Sequence, residues 1–180
     1  MKHAAAARRE VGIRSIFNML GPLTNPAAAT CQLLGVYAAP LTEMFAEALR
    51  LLGTRRAFVV HGHDGLDEIS VCAPTRISEL NAGAVRTYDI TPEQFLGRRA
   101  ARADIAGGDP AQNAAVTRSI LNGDSGAGRD VVLLNAAAGL VAAGRAETLE
   151  AGVRLAGESI DSGAARGKLD ALVRFTRTNG

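Results

Sequence analysis

Residues 61–70, "HGHDGLDEIS", bring two imidazoles (His61, His63), three carboxylates (Asp64, Asp67, Glu68) and two glycines into ten positions, directly after the apolar run Ala57-Phe58-Val59-Val60. Hard oxygen ligands of this kind suit Mg²⁺, which keeps several waters and completes its shell from substrate phosphates. A second reading stays open: Asp64-Gly65 makes a bend and the acids simply face water. A zinc site built on His61 and His63 is disfavoured, because no Cys/His spacing completes the ligand set. Arg8, Arg9 and Arg14 form a second group of interest, since a guanidinium holds a carboxylate or phosphate through two parallel hydrogen bonds. An arginine on an amphipathic helix is equally at home in water, so these residue types alone do not decide their role. No Ser/His/Asp or Cys/His grouping stands out for nucleophilic catalysis. Asn135, set among apolar residues, reads as satisfying a buried backbone or helix contact.

The elements that must position these groups follow from periodicity. Residues 4–19 place apolar side chains near helical spacing, with Gly12 as a weak point, and "GPLTNPAA" then reads as a turn. Residues 32–37, "QLLGVY", read as a buried strand. An apolar-periodic helix over residues 41–52 follows, ended by Gly53, and residues 56–60 make the next strand. Strand, helix, strand is a βαβ unit with parallel neighbouring strands. The acidic loop therefore leaves the carboxyl end of a parallel strand, where open α/β sheets hold their ligands. Residues 69–90 read as antiparallel strands, "TRISEL" and "AVRTYDI", around an Asn81-Ala82-Gly83 turn. Thr91-Pro92 and Asp109-Pro110 each look like an N-cap followed by proline, and Asp109 with Gln112 has capping-box spacing. The glycines of "GGDPAQN" are too few and misplaced for a phosphate-cradling loop. Alanine-rich helices are expected over residues 129–143, 147–162 and 164–176.

Composition narrows the class of protein. The 180 residues are 47% apolar, enough for one globular domain with a substantial core. The formal charge of +2 comes from 20 basic and 18 acidic residues dispersed along the chain, so no charge block points to nucleic acid or a membrane surface. With 4% aromatic residues and no Trp, buried surfaces must be built from aliphatic and small side chains, which suits closely packed helices. Cys31 and Cys72 form no CxxC pair, and no apolar stretch reaches the roughly 18 residues that span a bilayer. No signal-peptide core follows Met1, so a cytoplasmic setting is expected.

The segments "REVGIRSIFNMLGPLTNPA" (residues 9–27), "QLLGVY", "VVHGHDGLDEIS" and "GGDPAQNAA", with "ESIDSG" at residues 158–163, together resemble anthranilate phosphoribosyltransferase, a family of tryptophan biosynthesis, nearly end to end. The motif "IFNMLGPLTNP" is shared in outline with the related nucleoside phosphorylases. The resemblance implies an α/β fold: the carboxyl-terminal part of the large α/β domain of the nucleoside phosphorylase/phosphoribosyltransferase type, with a central mixed sheet flanked by helices. It implies transfer of the phosphoribosyl group from phosphoribosyl pyrophosphate to the amino group of anthranilate, with Mg²⁺ as cofactor. By position, the metal pair falls on Asp67 and Glu68, the arginine that orients anthranilate on Arg8, and the turn lining the acceptor's channel on Gly21 and Pro22. No catalytic general base stands out. The family's small helical domain, glycine-rich GTGGD-type loop, metal-side serine and Lys-His-Gly-Asn-Arg segment are not matched. Residues 1–180 thus read as a partial domain, expected to be inactive alone, and the family's homodimer is in doubt for this segment. The alternatives are a non-catalytic or complementing half acting as scaffold, or a nucleoside phosphorylase.

Overall fold

The computed structural model describes Glu10, Gly12 and residues 16–179. Arg8, Arg9 and Arg14, with most of the first expected helix, lie outside the described residues. Helix α1 (Ile16–Leu23) leads to strand β1 (Cys31–Gly35), helix α2 (Leu41–Leu51) and strand β2 (Arg56–Gly62). Strands β3 (Thr75–Asn81) and β4 (Ala84–Ile90) follow, then α3 (Glu93–Leu96), a short 3₁₀ turn (Arg102–Ile105), and helices α4 (Pro110–Leu121), α5 (Ala127–Ala142), α6 (Leu149–Asp161) and α7 (Ala164–Asn179).

The strands form one sheet in the order β1-β2-β3-β4. β1 pairs parallel with β2, Leu33 opposite Phe58, and the other pairs are antiparallel. This is the expected mixed sheet. The β3–β4 hairpin turns at Ala82 and Gly83, whose φ values of 50° and 80° match the primed two-residue turn that suits twisted strands.

β2 is buried on both faces from Ala57 onward, which explains its unbroken apolar run. Its side chains alternate between two cores, as the period of a strand requires. Phe58 and Val60 join Ile69, Val71, Ile77 and Leu134 beneath α5. Ala57 and Val59 join Phe45, Ala46, Leu49 and Leu80 beneath α2. Full burial of a side chain such as Phe58 contributes on the order of 1.5–3 kcal/mol. On the second face Ser78 donates a hydrogen bond to Thr42 at 2.9 Å, which ties β3 to α2.

The small residues do what composition suggests. A Cβ on Gly152 of α6 would stand 2.9 Å from the Cα, Cβ and carbonyl oxygen of Ala137 in α5, so these helices meet at backbone distance. The capping box of α4 forms in full: Asp109 accepts from the Gln112 amide at 2.8 Å, and Gln112 accepts from the Asp109 amide at 2.9 Å.

Two local readings need correction. Helix α1 continues through Gly21 and Pro22 to Leu23 instead of breaking into a turn at "GPLTNPAA". The residue before a proline is normally driven out of helical geometry by clashes of its Cβ and backbone N–H with the ring, and Gly21, lacking a Cβ, meets only part of that clash. Further on, Pro92 and not Thr91 is the N-cap of α3; the Thr91 amide donates instead to Gln94 at 2.8 Å. No helix among the described residues is long and apolar enough to cross a membrane.

Candidate metal and phosphate site

Beyond Gly62 the chain turns within residues 62–66. The Gly65 amide donates to the Gly62 carbonyl and the Gly62 amide to the Leu66 carbonyl, each at 2.8 Å. Gly65 has φ 91°, a conformation that glycine adopts without a side-chain clash. The Asp64 carboxylate is committed to this turn: Oδ2 accepts from the Ser70 hydroxyl at 2.8 Å, while Ser70 Oγ accepts from the amides of Cys72 and Ala73. Arg102 Nη1 donates to the Asp64 carbonyl at 2.7 Å. Asp64 is therefore a structural member of the loop, and the three-carboxylate cluster reduces to two.

Those two, Asp67 and Glu68, are exposed and have no hydrogen-bond or ion-pair partner among the described residues. Their backbone, in contrast, is held from both sides. On one side the Asp67 carbonyl lies against Gly35 at the end of β1, where a Cβ would approach its oxygen to 1.6 Å. On the other, Asn135 of α5 accepts from the Ile69 amide at 2.9 Å and donates to the Ile69 carbonyl at 3.0 Å, with a further bond to the Val131 carbonyl. Ile69 itself is 1% exposed. Glu68 borders an open cleft of about 760 Å³, shared with Leu66, Asp104, Asn113 and Arg129.

The histidines part company because the strand ends at Gly62 and the chain has turned before His63. His61 is buried and donates from Nδ1 to the Val36 carbonyl at 2.7 Å. His63 is exposed, its Nε2 3.5 Å from Asp89. The Arg76 guanidinium, hydrogen-bonded to Asp89 at 2.6 Å and 3.1 Å, holds that carboxyl below its ordinary range. Among the described residues no group of three or more His, Cys, Asp or Glu side chains is placed to hold a metal. Two carboxylates on a fixed loop, without a partner among the described residues, fit the other way of binding Mg²⁺, in which water and a phosphorylated ligand complete the shell.

Gly21 and Pro22 sit in the last turn of α1. Leu23, the next residue, lines a hollow with Thr30, Gln32 and Leu49 beside the start of β1. Asp67 lies over the other end of β1, and among the described residues no hydrogen bond or common cleft joins the two sets. Asn135 is the backbone contact expected from sequence, but which loop it holds was not legible there. Gly35 was missed, although a glycine inside a strand pattern is itself a signal of close backbone approach.

The curated anthranilate phosphoribosyltransferase of Syntrophobacter fumaroxidans is 69% identical over 99% of this chain and 53% of its own length. That of Desulfosudis oleivorans is 66% identical over 100% of this chain and 53% of its own. Among solved structures, anthranilate phosphoribosyltransferase (TrpD) from Thermus thermophilus superposes with a TM-score of 0.90 at 43% identity, covering 98% of this chain and 52% of that one. The Saccharomyces cerevisiae enzyme in complex with PRPP and Mg gives 0.83 at 29% identity, covering 94% of this chain and 49% of that one. The chain spans about half the length of the curated relatives it matches. The family model described as "Glycosyl transferase family, a/b domain" matches residues 1–166, and the chain belongs to that family.

Proposed function

We propose that this chain supplies the metal-binding and acceptor-side residues of a phosphoribosyl transfer to anthranilate. The observation that carries the reading is the loop at the end of β2, where a backbone held from both sides presents two carboxylates, Asp67 and Glu68, that are unpaired among the described residues. Relatives named anthranilate phosphoribosyltransferase, and a solved relative in complex with PRPP and Mg, support the choice of substrate and ion.

In the proposed reaction the anthranilate nitrogen attacks the anomeric carbon of phosphoribosyl pyrophosphate, a carbon–nitrogen bond forms, and the bond to the pyrophosphate oxygen breaks. The amine proton leaves to water. Asp67 and Glu68 hold Mg²⁺, and the chemistry that Mg²⁺ supplies there is neutralisation of charge on the departing pyrophosphate. Arg8 pairs with the anthranilate carboxylate. Gly21 and Pro22 contribute backbone shape to the acceptor's channel. An arylamine keeps a largely available lone pair, so the main demand on the protein is placement, not a general base.

The test is anthranilate consumption with phosphoribosyl pyrophosphate and Mg²⁺, measured for the chain alone and for the chain mixed with the remaining half of the Syntrophobacter relative. No turnover alone and turnover on mixing are expected; turnover by the chain alone refutes the need for a complementing half. In the active mixture Asp67→Asn with Glu68→Gln abolishes Mg²⁺-dependent turnover, and an unchanged response to Mg²⁺ sinks the metal assignment. Arg8→Ala raises KM for anthranilate. No anthranilate consumption in either arm, together with phosphorolysis of a nucleoside, replaces the reading with that of a nucleoside phosphorylase.

A further inference from the structure

We infer that Asn135 is a positioning residue for the metal pair, acting across 66 positions of sequence through the backbone of Ile69. The inference rests on the metal reading of Asp67 and Glu68. The Ile69 amide belongs to the peptide unit that begins at the Glu68 carbonyl, so the hydrogen bond it donates to Asn135 Oδ1 sets the plane that carries Glu68. The same side chain donates from Nδ2 to the Ile69 carbonyl, and both Nδ2 donors are used once Val131 is counted. A planar amide offers one acceptor and one donor side by side, which is what the N–H and C=O of a single residue require.

The support behind Asn135 is stiff. Its neighbour Leu134 and, on the next turn, Ala137, Ala138 and Val141 are buried, so the helix that carries the amide is anchored in the core. The Asp67 carbonyl is stopped on its other side by Gly35. Among the described residues the carboxylates have no partner, while their backbone is held. Partners that orient metal ligands from behind change metal affinity on the order of 10- to 100-fold when removed.

The experiment uses Mn²⁺ as a spectroscopic substitute for Mg²⁺, titrated into the chain with pyrophosphate present to supply the phosphate oxygens of the shell, and followed by electron paramagnetic resonance. Asn135→Ala removes both contacts to Ile69. Asn135→Asp keeps the shape and the acceptor but sets a carboxylate oxygen against the Ile69 carbonyl. Either variant that retains the wild-type circular dichroism spectrum is expected to bind Mn²⁺ about 10-fold more weakly or worse, with faster exchange of the Ile69 amide. Leu49→Ala, at a buried position of α2 in the other core, lowers thermal stability and leaves Mn²⁺ affinity unchanged, which separates positioning from general loosening. Wild-type affinity in the folded Asn135 variants overturns the inference while Asp67→Asn with Glu68→Gln still abolishes binding. Mn²⁺ binding that is absent from the wild type, or indifferent to that double substitution, overturns the metal reading and this inference together.

Discussion

Replacing Gly35 with alanine tests whether the acidic loop is positioned by contact with the end of β1. Gly35 stands in register with Val60, and its φ is not in the left-handed region, so the backbone accepts alanine and the effect is purely steric. The new Cβ would lie 1.6 Å from the Asp67 oxygen, 2.5 Å from its carbonyl carbon and 3.1 Å from its Cβ, where ordinary contact begins at 3.4 Å. The strand end and the carbonyl must therefore part by about 1.8 Å, because close-packed interiors do not absorb such overlap. Neither side moves freely. β1 is hydrogen-bonded to β2, and the loop is tied down by Asn135 at Ile69 and by Ser70 at Asp64. Overpacking of this kind costs about 1–3 kcal/mol, and the upper end is expected here because the obstacle is backbone. A displacement of about 1 Å at a reacting centre costs on the order of 100-fold in rate. Urea unfolding followed by circular dichroism reads the first effect, and Mg²⁺-dependent turnover in the complemented mixture reads the second. Stability within about 0.5 kcal/mol of wild type, the usual range for a neutral surface change, combined with unaltered turnover, would falsify the argument.

Other consequences follow from the same geometry. Gly152→Ala is expected to cost about 1–3 kcal/mol by driving a methyl into Ala137, whereas Gly139→Ala, with nothing within 4 Å of the added carbon, gains up to about 1 kcal/mol from helix propensity; denaturant midpoints that reverse this order refute the packing account. Burial, and then the Glu79 carboxylate to which its hydroxyl donates at 3.0 Å, push the Tyr88 phenol up to about 12. Its contribution is fully present below the ordinary phenol value and lost as pH rises through about 12; with solvent screening of this half-buried ring the decline is roughly 1–2 kcal/mol, and Tyr88→Phe lacks it. Identical alkaline unfolding profiles for the two proteins contradict it. Asp109→Ala removes the α4 cap and lowers stability by about 0.5–2 kcal/mol, read from thermal unfolding.

Much of the architecture is legible from local pattern. The run Ala57-Phe58-Val59-Val60 marks a strand covered on both faces, and the spacing of Asp109 and Gln112 marks a helix start that the structure reproduces bond for bond. These features are written within a few residues of each other, so short-range sterics and hydrogen bonding suffice to specify them. Gly21-Pro22 shows the limit of that logic. Glycine and proline each signal a turn in isolation, yet glycine before proline lessens the clash that disfavours helical geometry, and the helix runs on to Leu23.

By its residues alone, the sequence determined the parallel βαβ unit, the hairpin and the placement of an acidic loop at the carboxyl end of β2; through family resemblance it pointed to Asp67 and Glu68 within that loop. Tertiary structure decided how the acids divide their work: Asp64 turns inward to Ser70, while Asp67 and Glu68 remain unpaired among the described residues. It also decided what holds them. Gly35 and Asn135 reach the loop from distant parts of the chain, and Arg102 reaches the Asp64 carbonyl across 38 positions. The physical reason is that the loop's backbone is fixed by Gly35 of β1 and Asn135 of α5, groups distant in sequence that meet it only when the sheet and α5 pack against each other.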